Sequence, residues 1–96
     1  MTATYSRTFY RMSTDTPFPP EPVELAEYVS IIYADKCITW RETSVSEDGL
    51  VKICKSIWIN LTELELAKED GILIDWEKTM TQYCQNNEIV SFASIE

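Results

Sequence analysis

Ninety-six residues with 45% apolar and 11% aromatic content describe one domain, large enough to bury a core without staples. A formal charge of −8 opposes the phosphate backbone and argues against direct nucleic-acid binding. The absence of histidine removes Ser-His and Cys-His nucleophile systems and the commonest metal ligand, and two glycines are too few for a phosphate-cradling loop.

In chain order, Tyr5 to Met12 alternates and is rich in Thr, Tyr and Phe, which predicts a strand with Tyr5 and Phe9 on one face and Tyr10 and Met12 on the other. Its expected place is at an edge or as a hairpin partner. Residues 14–22 carry four prolines, whose fixed φ and missing donors predict an extended connector within the domain, with Phe18 packed on the body. From Pro22 to Tyr33, Leu25, Tyr28, Val29 and Ile32 recur at helical spacing and Pro22 suits a first turn, so a helix is expected. A β-branched tail at residues 28–33 leaves a strand as the alternative there.

Ile38 to Ile59 reads as a β-hairpin closed by Asp48-Gly49, because a two-residue type I′ turn needs positive φ at both central positions. That turn sets Ser44 opposite Ile53, Glu42 opposite Lys55, Trp40 opposite Ile57 and Ile38 opposite Ile59, and this side is the expected core face. The other side carries Thr39 with Trp58, Arg41 with Ser56, Thr43 with Cys54 and Val45 with Lys52. A three- to five-residue loop with Gly49 left-handed is the alternative closure, and a one-residue shift would exchange the faces.

Thr62 with Glu65 has the spacing of a capping box and Leu61 with Leu66 that of a hydrophobic staple, with Gly71 expected to end the helix as its C′ residue. Asp75 is expected to cap a following helix in which Trp76, Met80, Tyr83 and Cys84 share a face, ending at Asn86-Asn87. Alternation from Glu88 to Ile95 predicts a closing strand. The result is a small α+β domain spanning residues 1–96, an antiparallel sheet built on the central hairpin with about three short helices packed on one face.

Cys37, Cys54 and Cys84 are odd in number and widely spaced, which gives no disulfide framework, metal motif or redox motif, so reduced small hydrophobes are expected. No run of about 18 apolar residues is present to span a membrane. Met1 to Met12 has no apolar core of a signal peptide, so the expected compartment is the cytoplasm. Nothing in the sequence calls for a cofactor or metal, and an enzyme is not expected.

Charge distribution is the informative feature. Residues 1–12 carry +2, residues 13–27 carry −4, residues 28–60 are balanced and residues 61–96 carry −6. The candidate partner-binding residues are therefore Glu63, Glu65, Glu69, Asp70, Asp75 and Glu77, an acidic surface suited to a protein partner with a basic groove. In size, charge and missing catalytic equipment the chain is analogous to small phage anti-defence proteins, such as anti-CRISPR or anti-restriction inhibitors, and to nuclease immunity proteins. No shared motif stands behind that analogy. The alternative from a different class is a structural or assembly protein that forms a homodimer or joins a larger complex through apolar strand or aromatic surface, with Trp58, Tyr10, Tyr33 and Phe18 as the aromatic surplus.

Overall fold

The computed structural model describes residues 1–96. The chain runs β1 (Ala3–Tyr10), α1 (Val23–Ile32), β2 (Cys37–Val45), β3 (Val51–Trp58), α2 (Leu61–Ala67), α3 (Gly71–Asn86) and β4 (Val90–Ile95). The four strands form one antiparallel sheet in the order β2-β3-β1-β4, so the domain is α+β as its sequence predicts. No helix is long and apolar enough to cross a membrane.

The first strand is interior, not an edge. β3 takes one of its sides in the register Ala3 to Trp58 through Tyr10 to Val51, and β4 takes the other, Tyr5 to Ile95 through Tyr10 to Val90. The central hairpin and the C-terminal strand thus satisfy the two sides of the β1 backbone, a pairing that no local pattern encodes. Its facing is as expected: Ala3 and Phe9 are buried, and Tyr5 packs on the same side.

The hairpin keeps the predicted register next to its loop, with Val45 opposite Lys52, Ser44 opposite Ile53, Thr43 opposite Cys54 and Glu42 opposite Lys55. Its closure is the longer one. Gly49 N–H donates to Ser46 O at 2.9 Å, Gly49 has φ +76°, and Asp48 Oδ1 accepts from Ser46 Oγ and Leu50 N–H. Loops of two and four residues share a parity, which is why the register survives the different turn.

The core face is the opposite of the one expected. Cys54, Ser56 and Trp58 are buried, and pair with Arg7, Tyr5 and Ala3 of β1 on the side where the helices pack. Ile53 and Ile57 lie on the other side with Thr8 and Thr4, a β-branched surface that suits a sheet face left uncovered. Two register shifts in β2 change its outer half, between Glu42 and Thr39 and between Thr39 and Cys37. Thr39, not Trp40, now faces Ile57, and Arg41 takes φ +65°, a β-bulge that turns Trp40 onto the core face.

The helices start where side-chain oxygens are available. Asn60 Oδ1 accepts from Glu63 N–H at 2.8 Å and caps α2, so the capping box on Thr62 does not form, and Leu61 and Leu66 are both exposed, so neither does the staple. Gly71 opens α3 instead of closing α2, and Asp70, not Asp75, is the cap, accepting from Ile72 N–H at 2.9 Å. Asp75 sits exposed within α3. α1 needs no side-chain cap, since Pro22 precedes it with extended φ and ψ.

Two apolar clusters lie beneath the helices. One joins Phe9, Cys54, Met80, Cys84 and Ile89, with Phe18 of the proline-rich segment packed against it. The other joins Ala3, Trp58, Leu64 and Ala67, with Tyr33 meeting the Trp58 ring edge to face at 5.4 Å.

Candidate functional site

The six acidic residues singled out by charge fall into two groups of three. Glu65 on α2, Glu69 at the corner between α2 and α3, and Asp75 on α3 are exposed and have no cation within 4 Å. Glu63, Asp70 and Glu77 are half-buried and have partners within the chain. Glu63 receives Lys36 Nζ at 3.3 Å. Glu77 holds Arg7 and accepts from the Tyr5 hydroxyl at 2.6 Å, bridging α3 to the core face of β1. Asp70 caps α3 through one oxygen, and its other oxygen accepts from the Tyr28 and Tyr33 hydroxyls, each at 2.6 Å.

These contacts move the titrations of their partners. Burial and then the hydrogen bond to Glu77 push the Tyr5 phenol up to about 12. Burial and then the hydrogen bond to Asp70 raise Tyr33 as well. Burial alone would raise Asp70, but the two tyrosine hydroxyls and the backbone N–H groups of Ile72 and Leu73 outweigh it and hold the carboxyl below its usual value. Burial pushes the Cys37 thiol up to about 11, against a hydrogen bond to Thr39.

Exposed acids outnumber exposed bases on the helices, with Lys68 and Lys78 as the bases. Glu24 and Glu27 of α1 are exposed there together with Glu65, Glu69 and Asp75, and Tyr28 ties α1 to the corner that carries Glu69. Glu24 and Glu27 stand far from the acidic C-terminal third in sequence, and the Tyr28 contact to Asp70 links α1 to it. The opposite surface is the uncovered sheet face, where Tyr10 stacks on Phe92 at 5.7 Å and Val90 and Phe92 are 62% and 50% exposed. Of the four surplus aromatics, Tyr10 alone is on open surface: Trp58, Tyr33 and Phe18 pack into the body. The alternation of Val90 and Phe92 along β4 was the signal for that face.

The three cysteines are free thiols, Cys54 and Cys84 buried and Cys37 half-buried. No cluster of three or more cysteine or carboxylate side chains converges as a metal-binding set. No protein-family model, curated protein or solved structure matches the chain.

Proposed function

We propose that the chain is a non-catalytic, acidic protein-binding module whose helical layer docks on a basic surface of a nucleic-acid-processing protein, as an inhibitor or decoy of the phage anti-defence or nuclease-immunity kind. The observation that carries the reading is the set of exposed, unpaired carboxylates Glu65, Glu69 and Asp75 on a chain of net charge −8. Carboxylates free of internal partners are available to a cationic groove, and charge steering makes such association fast and salt-sensitive. Glu63, Asp70 and Glu77 support the layer from within, so a test of docking leaves them in place.

The test is capture of partners from lysate by the wild type and by a Glu65→Lys, Glu69→Lys, Asp75→Lys variant, at low and high salt. The expected result is one nucleic-acid-binding protein, released as salt rises and lost in a variant that keeps its circular dichroism. Equal capture by a folded variant would sink the acidic-layer reading.

The uncovered sheet face favours a second reading, assembly as a homodimer or as a subunit of a larger complex. Its support is the exposed Val90, Tyr10 and Phe92 group beside the edge strand β4. Apolar contact is nearly indifferent to salt, so a mass in solution that doubles at every ionic strength and returns to one chain in Phe92→Thr would favour it.

A further inference from the structure

The two edges of the sheet are finished differently. β2 is interrupted by two register shifts and carries Arg41 and Glu42, devices that discourage another strand from pairing. β4 is unbroken against β1, and Val90–Ile95 contains no proline and no charged residue. Its backbone polarity follows from the ladder. Thr4 and Glu96 exchange N–H to O bonds at 3.0 and 2.9 Å, so in the register Tyr5 to Ile95 the alternate residues Ser94, Phe92 and Val90 also bond to β1. Ser91, Ala93 and Ile95 therefore turn three N–H and three C=O groups outward, where the chain offers them no partner.

Side chains on both faces leave room for a fifth strand. On the uncovered face Val90 and Phe92 are exposed beside Tyr10. On the other face Ser91 and Ala93 are small, and Ser91 accepts from Arg7, whose other terminal nitrogen reaches Glu77 of α3. Charge selects the occupant. Glu88 and Glu96, both exposed and without a cation within 4 Å, bracket β4. Two copies joined antiparallel, centred on Phe92 or on Ala93, would set Glu88 of one opposite Glu96 of the other or two positions from it. Each copy also carries −8, so the edge is matched to a cationic strand and mismatched to its own copy.

We propose that β4 accepts, as a fifth antiparallel strand, an extended segment of the partner protein with Lys or Arg at both ends and β-branched residues between them. Backbone bonds at Ser91, Ala93 and Ile95 hold the segment, apolar side chains at alternate positions lie on Val90 and Phe92, and the terminal cations meet Glu88 and Glu96. The inference rests on the reading of a partner with a basic surface, and it adds a contact apart from Glu65, Glu69 and Asp75.

The experiment titrates the protein with the synthetic peptide Lys-Thr-Val-Thr-Val-Thr-Val-Thr-Lys and with the same peptide ended by Glu, read by fluorescence anisotropy and by amide exchange in NMR. The lysine-ended peptide is expected to saturate and to slow exchange at Ser91, Ala93 and Ile95 by roughly tenfold, while the Phe92 and Ser94 amides, already bonded to β1, change little. The glutamate-ended peptide is expected to bind roughly tenfold more weakly, and Glu88→Lys with Glu96→Lys to reverse the preference. Ala93→Pro removes an outward N–H and no internal bond, so it is expected to abolish binding with circular dichroism unchanged. No saturable binding of the lysine-ended peptide, or equal binding of both peptides, overturns the proposal. A doubled mass without peptide, with the same amides already protected, makes a second copy the occupant and overturns it as well. Peptide failure with salt-sensitive capture intact removes the edge contact alone and leaves the basic partner standing.

Discussion

Asp70 is the side chain whose loss is expected to cost the fold most among the surface carboxylates. Asp70→Ala removes the cap of α3, a loss of about 1 kcal/mol, and leaves the half-buried Tyr33 hydroxyl without its acceptor, a further cost of about 1–2 kcal/mol. Tyr28, nearer the solvent, rehydrates and adds little. The expected total of about 2–3 kcal/mol corresponds to a fall in Tm of roughly 10–20 °C for a domain of this length. Asp70→Asn keeps a capping oxygen and is expected to cost about 1 kcal/mol. Denaturant titrations of Asp70→Ala, Tyr33→Phe and the pair give the coupling, expected near 1 kcal/mol, against nearly zero for the Tyr28→Phe pair. The pH dependence follows from the lowered carboxyl. Its stabilisation is complete above the unfolded value of about 4 and is lost as pH falls through the lower folded value, so Asp70→Asn should flatten the acid limb. A cost below about 0.5 kcal/mol for Asp70→Ala, or equal coupling to both tyrosines, would refute the role of structural hub.

Tyr5 and Tyr33 have raised phenols, so their contribution is complete below about pH 10, the unfolded value, and is lost as pH rises through the folded values. Absorbance at alkaline pH is expected to show a late step near 12 that Tyr5→Phe removes, and all five tyrosines titrating together near 10 in the folded protein would contradict it. Asn60→Ala should lower stability by about 1 kcal/mol and Thr62→Ala by a few tenths at most in thermal melts, and the reverse order would restore the capping box.

Much of the fold is legible in residue spacing. The face shared by Trp76, Met80 and Cys84, the alternation of Tyr5 and Phe9, and the hairpin register near Gly49 all follow from local periodicity. What is not legible depends on partners far away in sequence. Isoleucines at 53, 57 and 59 outweigh Cys54 and Ser56 in apolar content, yet the helices choose the side of Trp58 and Phe9, where the largest buried rings are. The competition between Asp70 and Asp75 as caps, and between Asn60 and Thr62, turns on which residue has extended φ and ψ, and no propensity separates oxygens so close together. The bulge at Arg41 left no trace that charge or hydropathy would register, because no glycine or asparagine marks its positive φ.

Charge counting found the acidic third of the chain and could not tell which acids are free. Burial decides that. Arg7 and Arg41 are nearly enclosed and each faces a carboxylate, Glu77 and Glu21, so the interior pairs cancel and the excess of −8 remains on solvent-facing groups. Pairing within the chain therefore leaves the long-range field intact while committing Glu77 Oε1 and both Asp70 oxygens to internal partners. A reversal that includes Asp70 would weaken binding and folding together and could not separate them. One confined to Glu65, Glu69 and Asp75 changes only exposed side chains, where substitutions shift stability by about 0.5 kcal/mol or less, so a loss of partner in that variant reports on the surface itself.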